Sequence, residues 1–210
     1  MAASADQGYP VTFDVDYPQR PLDRLTSFFR IIAAIPILIV LGTLTSQTVR
    51  LGHTQSGLQV VASGGVLWIP LVLMLLFRRK YPRWWYDWNL NLLRFTSRVS
   101  IYLALMDDRY PSTDEEQSVH LDFPYPDAQE LNRWLPLVKW LLAIPHYVVL
   151  VFLGIGVLVA VVIAWFAILF TGVYPRGLFA YVVGVSRWAN RVTGYAFTLV
   201  TDRYPPFSLS

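Results

Sequence analysis

Three long stretches without a charged side chain constrain what this chain can fold into. No Asp, Glu, Lys or Arg occurs at residues 31–49, 51–77 or 140–175. A short soluble chain rarely buries several apolar segments of this length, whereas a helix needs roughly 20 apolar residues to cross a bilayer core of about 30 Å. We therefore predict a helical integral membrane protein. A soluble protein with very apolar core helices is the less favoured alternative.

Four membrane spans are predicted from these stretches. A single helix over the third stretch would measure about 54 Å, which is too long for one crossing. Gly154 and Gly156 suit a tight turn in its middle, with Arg133 and Lys139 snorkelling back toward the headgroups. The predicted spans, arranged as two hairpins, are residues 25–44, 58–77, 131–153 and 157–175.

The distribution of cations predicts the orientation of these hairpins. Of the 17 Lys and Arg residues, all but Arg50 fall in the N-terminal, central or C-terminal segments. By the positive-inside rule, both termini and the central segment are predicted to be cytoplasmic in a multi-pass protein. Residues 1–10 have neither a basic start nor an apolar run, so no secretory signal peptide is predicted.

The two halves of the chain resemble each other, and the matching residues keep the same order. Each half carries an Ala-Ile-Pro motif, a Tyr-Pro-Arg motif, an Arg-Val-x-x-Tyr motif and a closing Asp-Arg-Tyr-Pro motif. Because each half holds an even number of predicted spans, the two copies have the same orientation, as in parallel repeats. Three pairs are taken as structural counterparts: Asp16 and Asp122, Asp108 and Asp202, and Tyr102 and Tyr195.

This duplicated pattern resembles a bacterial family of uncharacterised membrane proteins, domain of unknown function 4389. The resemblance rests on the Ala-Ile-Pro, Arg-Val-x-x-Tyr and Asp-Arg-Tyr-Pro motifs of both halves, and it covers residues 10–207. It implies two tandem repeats of the family domain in a bacterial inner (plasma) membrane. It supplies no catalytic residue.

The chain divides into two units with the same predicted elements. A disordered N-terminus at 1–10 precedes the first unit at 11–111, and a polar linker at 112–118 leads to the second unit at 119–207. Each unit is predicted to contain a strand, a hairpin of spans, an amphipathic interfacial helix and a second strand. The interfacial helices are placed at 84–95 and 177–190, and the strands of one small cytoplasmic β-sheet at 11–17, 99–106, 119–123 and 192–201.

Four arginines are the first candidate site. Arg94 and Arg98 share a helix face because they are four residues apart, and Arg187 and Arg191 repeat the arrangement. Guanidinium groups match phosphate oxygens, so the four predict a site for an anionic lipid or phosphate. The favoured alternative is structural. In it these arginines pair with recurring carboxylates and pin helix to sheet, the carboxylates being Asp16, Asp108, Asp122 and Asp202.

His146 is the second candidate, because an ionisable side chain inside a predicted span is a functional suspect. Its counterpart in the first half is Ile37, so the two halves do not share the feature, and a structural hydrogen bond is the favoured interpretation. No three His or carboxylate residues have metal-ligand spacing, and cysteine is absent, so we expect no metal site and no cofactor. The small net charge of +3 gives no reason to expect nucleic acid.

We expect a non-catalytic integral membrane protein, an accessory or scaffold subunit of a larger membrane complex. Its partners would be membrane lipids and a second protein. The alternative is a small transporter, channel or lipid-handling protein with an Arg-lined site for anionic headgroups. An enzyme is less favoured, because no phosphate-binding glycine loop, nucleophile elbow or dinucleotide fingerprint occurs in the chain.

Overall fold

The computed structural model describes residues 8–51, 58–63, 68–113 and 115–210. Within them the chain is mainly helical, as predicted, with two antiparallel pairs of short strands. Parts of three predictions lie outside the described residues: most of the disordered N-terminus, residues 64–67 of the second span, and residue 114 of the linker.

The elements follow in chain order. The helices are α1 (Arg24–Phe28), α2 (Arg30–Thr45), α3 (Trp68–Leu73), α4 (Arg83–Leu103), α5 (Lys139–Leu142), α6 (Ile144–Thr171) and α7 (Arg176–Ala196). The strands are β1 (Thr12–Val15), β2 (Ser46–Leu51), β3 (Leu58–Ser63) and β4 (Val119–Asp122). A π-helical turn at Met74–Arg78 extends α3, and a 3-10 turn at Leu135–Leu137 precedes α5.

The second predicted hairpin, at residues 131–153 and 157–175, is wrong. Helix α6 runs unbroken over 28 residues, and Gly154 and Gly156 lie inside it. A glycine in a helix interior costs only about 1 kcal/mol relative to alanine, so the surrounding aliphatic residues keep the helix intact. Among the described residues, α6 is the one helix long and apolar enough to cross a membrane.

The first predicted hairpin, at residues 25–44 and 58–77, is wrong as well. Helix α2 has 16 residues, fewer than a crossing needs. Strands β2 and β3 then pair antiparallel, so the second predicted span begins as a strand. The described part of the chain therefore does not contain four transmembrane helices. The stretch between the Ala-Ile-Pro and Tyr-Pro-Arg motifs is longer in the first half, from Ala34 to Tyr81, than in the second, from Ala143 to Tyr174. Strands β2 and β3 lie in this longer stretch.

Strands β1 and β4, one from each half, form a sheet of their own. They pair antiparallel with Phe13 opposite Leu121 and Asp14 opposite His120. Alternation buries Phe13 and Leu121 and leaves Asp14 and His120 in solvent, so the first strand predicted in each unit is confirmed.

The second strand predicted in each unit, at 99–106 and at 192–201, is wrong. These residues complete and end helices α4 and α7, so the β1–β4 sheet has two strands and not four. Leu105 and Leu199, each with positive φ, lie just beyond the two helices. The predicted interfacial helices are therefore present as helices, and each is longer than predicted. Short runs of β-branched residues do not distinguish a strand from a buried helix segment.

The sheet and two helices lie in successive layers. Helix α7 lies along β1, where Tyr17 packs edge-on against Phe179 with ring centroids 4.9 Å apart. Helix α6 lies in turn along α7, because Tyr181 donates to Leu153 O at 3.0 Å. Toward its C-terminal end α6 is covered by α1, at the hydrogen bond from Trp165 Nε1 to Ser27 O. One face of α6 thus contacts the rest of the protein along its length.

Candidate functional site

Arg94 joins helix α4 of the first half to strand β4 of the second half. Its Nε donates to Leu121 O at 2.8 Å, and its terminal nitrogen forms an ion pair with Asp122 at 3.3 Å. The carboxylate is largely exposed, so the ion pair itself contributes no more than about 1 kcal/mol. The carbonyl bond and the ion pair together hold the helix on the strand.

Arg187 makes the reciprocal contact, from helix α7 of the second half to strand β1 of the first half. Its Nε donates to Phe13 O at 2.8 Å, and its terminal nitrogen pairs with Asp14 at 3.2 Å. Asp14 thus makes with Arg187 the contact that Asp122 makes with Arg94, whereas the sequence comparison paired Asp122 with Asp16. Asp16 instead contacts His120 across the sheet at 3.0 Å.

Arg98 and Arg191 are buried and contact the chain segments that follow the closing motifs. Arg98 donates to Ser112 O at 2.8 Å, and Arg191 donates to Ser210 O at 2.7 Å. The guanidinium group of Arg191 also lies 5.8 Å from the ring centroid of Tyr9. All four arginines of the predicted anionic site thus have partners within the protein.

Lys139 and Asp202 form a buried ion pair at the start of α5. Lys139 Nζ lies 2.7 Å from Asp202 Oδ1 and donates to Thr201 O at 2.7 Å. It also lies 5.2 Å from the ring centroid of Tyr195. Burial lowers the pKa of Lys139, and the hydrogen bond and charge of Asp202 act in the opposite direction.

Arg30 and Asp108 make the matching ion pair in the first half. Arg30 also donates to Asp107 O at 2.9 Å and lies 4.2 Å from the ring centroid of Tyr102. Asp108 and Asp202 therefore pair with the cations that begin α2 and α5, and not with the four candidate arginines. These partners could have been predicted from the sequence, because Arg30 and Lys139 lie at the same distance before the Ala-Ile-Pro motif of their half.

Two tyrosines that sequence reasoning missed also cross between the halves. Tyr17 donates to Tyr174 O, and Tyr125 donates to Tyr81 O. The guanidinium group of Arg176, which begins α7, lies 5.2 Å from the ring centroid of Tyr17. That of Arg83, which begins α4, lies 5.5 Å from the ring centroid of Tyr125. Each arginine thus covers a tyrosine of the other half. A Tyr-Pro dipeptide follows each first strand in the sequence, and this repetition is the signal that could have found them.

Tyr81 and Tyr174, which open the two Tyr-Pro-Arg motifs, differ at their hydroxyl groups. Tyr81 donates to Thr198 O at 2.6 Å, whereas the buried hydroxyl of Tyr174 has no hydrogen-bond partner among the described residues. Burial raises the pKa of Tyr174 to about 12. Burial likewise raises the pKa of Tyr81, with smaller contributions from Tyr125 and Tyr86.

His146 is buried between α6, α7 and the C-terminal segment. Its Nδ1 accepts a hydrogen bond from Trp188 Nε1 at 3.0 Å, and its ring stacks on Phe207 with centroids 4.0 Å apart. Its Nε2 is buried with no hydrogen-bond partner in the described part of the chain. Because Nδ1 accepts, the imidazole is neutral and carries its proton on Nε2.

An open groove of about 1130 Å³ lies between residues 16–22 and 106–109. Two of its carboxylates are engaged, since Asp108 pairs with Arg30 and Asp107 accepts from Ser118 Oγ. Across the described ranges, no group of three His, Cys, Asp or Glu side chains is placed to hold a metal ion. The contacts described so far have a structural role, because they join helices to strands and to the segments that follow the closing motifs.

Comparison with known proteins finds one similarity, in the second half of the chain. The family model described as "Domain of unknown function (DUF4389)" matches residues 134–208. No curated protein and no solved structure matches the chain. Residues 134–208, from the turn before α5 to the C-terminal segment, are thus similar to that uncharacterised domain.

Proposed function

We propose that this protein is a non-catalytic scaffold bound to a membrane, an accessory subunit of a larger membrane complex. The observation that carries the proposal is the contrast between two faces of the molecule. Helix α6 presents a long apolar stripe on one side, and the β1–β4 sheet presents charged side chains on the other. A bilayer suits the first face, and water or a polar partner suits the second.

The apolar stripe runs along almost the whole of α6. Only 11% of the residues in the most apolar 18-residue stretch of α6 are buried. The exposed fraction of the residue reaches 68% at Leu158 and 78% at Phe170. From Val148 to Phe170 the stripe measures about 33 Å. Contiguous exposed apolar patches of this extent mark interaction or membrane surfaces. The stripe consists of Val148, Val151, Phe152, Ile155, Leu158, Val159, Val162, Ile163, Phe166 and Phe170.

The opposite face of the sheet is polar. The side chains of Asp14, Asp16 and Asp122 are 70% to 72% exposed, and His120 is similarly open. Charged side chains of this exposure do not lie in hydrocarbon. Because α7 separates this sheet from α6, the apolar and charged faces are on opposite sides of one body.

This layering favours an α6 that lies in the plane of the membrane. If α6 crossed the bilayer, α7 and the charged sheet beside it would be drawn into the hydrocarbon too. An in-plane helix buries the stripe in one leaflet and leaves the sheet in water. Both termini then lie on one side of the membrane. We place that side in the cytoplasm of a bacterial cell, because Lys and Arg residues of membrane proteins are enriched on the cytoplasmic side.

The arginine contacts support a scaffold over a lipid-handling protein. Arg94 and Arg187 brace the halves against each other, and Arg98 and Arg191 hold closing segments. Binding a headgroup at these four positions would require breaking contacts that hold the fold together. A rigid body with an apolar face and a charged face suits a subunit that displays a surface.

We further propose that residues 11–111 and 119–207 are two copies of one unit. Reciprocal contacts support this, since Arg94 reaches the strand of the second half as Arg187 reaches that of the first. Phe13 and Leu121 accept these equivalent bonds and also lie opposite each other in the sheet. A twofold relation passing between them would account for both facts.

Single cysteines test the in-plane arrangement, because the chain has no natural cysteine. Trp140→Cys and Thr171→Cys place thiols at exposed positions near the two ends of α6, and Leu158→Cys places one in the apolar stripe. In sealed vesicles, a membrane-impermeant maleimide should label positions 140 and 171 from the same side and leave 158 protected. Labelling of 140 and 171 from opposite sides would show that α6 crosses the bilayer.

Copurification tests the scaffold role. Extraction from native membranes in a gentle detergent should recover the protein with a second protein in fixed stoichiometry. Variants that neutralise the exposed sheet face, Asp14→Asn with Asp16→Asn, should weaken that association while the protein remains in the membrane fraction. Recovery of the protein alone, at native abundance and in several mild detergents, would refute the role.

A further inference from the structure

Five cations lie together where the first half turns from its apolar helix into α4. Three of them follow the end of α3, and Arg83 begins α4. The fifth comes from the second half, since Arg133 Nε donates to Leu76 O. This group, called the basic corner below, consists of Arg78, Arg79, Lys80, Arg83 and Arg133.

The basic corner has no carboxylate partner within the described ranges. None of its five cations takes part in the ion pairs formed there. Asp87 lies one helical turn after Arg83 and does not pair with it. By contrast, Arg94 and Arg187 each meet a carboxylate. Five exposed positive charges without counter-ions create a local field that attracts anions.

Arg79 occupies a backbone position that favours glycine. Its φ is 47°, in the left-handed region, where a side chain is sterically unfavourable. The position two residues before the other Tyr-Pro-Arg motif is Gly172, with φ of 74°. The first half therefore carries a strained cation where the second half has the favoured glycine. Leu105 and Leu199 have similar φ values just beyond α4 and α7, and helices commonly end on such a residue, so it is the charge of Arg79 that distinguishes this position.

The second half keeps two of these five cations at the corresponding place, Arg24, which donates to Phe170 O, and Arg176, and lacks the other three. The positions that match Arg78, Arg79 and Lys80 are Thr171, Gly172 and Val173, all uncharged. The charge of residues 78–80 is thus a specific feature of the first half.

Exposed apolar and aromatic side chains surround the basic corner. Phe77, Trp84 and Trp134 are each about two thirds exposed, and the guanidinium group of Arg133 lies 6.0 Å from the Trp134 ring centroid. Tryptophan favours the headgroup level of a bilayer, where one part of the ring is dry and another wet. Cations beside such rings would meet phosphates, whereas a site for a soluble anion has no use for them.

We propose that the basic corner binds the phosphate groups of anionic phospholipids in the membrane to which the protein is bound. This inference rests on the proposed membrane attachment and adds the class of lipid that is selected. Each guanidinium group can donate two hydrogen bonds to one phosphate, and the aromatic side chains enter the acyl boundary beside it.

Flotation with lipid vesicles tests the proposal. The purified full chain is mixed with vesicles of phosphatidylcholine alone or of phosphatidylcholine with phosphatidylglycerol. Wild-type protein should bind the anionic vesicles more tightly, and Arg78→Gln with Lys80→Gln should reduce that preference by about fivefold per cation. The charge-matched control, Arg20→Gln with Arg109→Gln, removes two exposed cations elsewhere and should keep the preference.

A second variant separates lipid binding from folding. Arg79→Gly should raise the melting temperature by about 2–4 °C, because it relieves the left-handed strain. The same change should weaken binding to anionic vesicles. A purely structural Arg79 would give the first effect without the second, and that result would overturn its place in the site.

The remaining outcomes separate the two proposals. Equal binding to both vesicle types would overturn lipid selection and leave membrane attachment standing. Binding to neither would overturn both. Equal losses in the two double variants would show a general charge effect and overturn the basic corner as the site. Competition by inorganic phosphate at millimolar concentration would indicate a site for a free anion, which would also overturn the proposal.

Discussion

Lys139 Nζ lies 2.7 Å from Asp202 Oδ1, and the lysine side chain is 0% exposed whereas the aspartate is 27% exposed. This asymmetry predicts unequal effects of removing either partner. Asp202→Ala leaves a fully buried ammonium group without its counter-ion and should lower the free energy of unfolding by about 3–5 kcal/mol. Lys139→Met leaves a carboxylate that still accepts a hydrogen bond from Asn132 N, in a side chain that is partly exposed, so the loss should be smaller. Thermal unfolding in mild detergent measures both.

The matched control for that experiment is Asp16→Ala, which removes an exposed carboxylate facing exposed His120. Surface changes of this kind usually alter stability by no more than about 0.5 kcal/mol. A loss at Asp16 equal to the loss at Asp202 would contradict the importance given to burial.

Tyr81 and Tyr174 provide a second matched pair. Tyr81→Phe removes the hydrogen bond to Thr198 O and leaves that carbonyl unpaired, so it should cost about 1–3 kcal/mol. Tyr174→Phe removes a buried hydroxyl that has no partner in the described residues, and should be neutral or slightly stabilising. Similar losses in the two variants would contradict the difference between the halves.

The raised pKa of Tyr174 predicts a specific alkaline transition. A tyrosine ionises near pH 10 in the unfolded chain, whereas burial raises the pKa of folded Tyr174 to about 12. The unfolded state therefore loses its proton first, and the contribution to stability is present below pH 10 and lost between pH 10 and 12. Tyr174→Phe should reduce the loss of stability across this interval, as chemical denaturation at each pH would show.

Local pattern was sufficient to predict the paired strands. Val11, Phe13 and Val15 alternate with polar residues, and Val119 and Leu121 repeat the pattern, so both strands were predictable from side-chain period. Strands of both halves were expected in one sheet, and β1 does pair with β4, but neither segment alone specifies which residues lie opposite each other. The contact of Arg187 with Asp14 was equally hidden, because Asp14 and Asp16 both lie on the polar face of the strand.

The secondary structure of the long apolar segments was not predictable from local pattern in the same way. A Gly-x-Gly sequence permits a turn and also permits a helix, and packing of Tyr181 against Gly156 favours the helix. The length rule for membrane spans assumes that apolar segments cross the bilayer. It gives no information about a helix that buries one face against its own protein.

The glycines of α6 test whether that helix is continuous. Gly154 has open space where the methyl group of an alanine would lie, so Gly154→Ala should stabilise the helix by about 0.5–1 kcal/mol. At Gly156 a methyl group would meet the Tyr181 hydroxyl, so Gly156→Ala should destabilise the protein by displacing the bond to Leu153 O. Thermal unfolding distinguishes the signs. If Gly154→Ala destabilised the protein, the result would support the predicted turn at Gly154 and Gly156 over a continuous helix.

His146 and Trp188, which are hydrogen-bonded to each other, align in sequence with Ile37 and Phe95 of the first half, and those two residues are buried and apolar. His146→Ile alone leaves the Trp188 indole N–H unpaired, and Trp188→Phe alone leaves the imidazole unpaired, so each should cost about 1–3 kcal/mol. The double variant reproduces the apolar pair and should lose at least about 1 kcal/mol less than the sum of the single losses. A double-mutant cycle by thermal unfolding measures this coupling. Strictly additive losses would mean that the hydrogen bond does not couple the two residues.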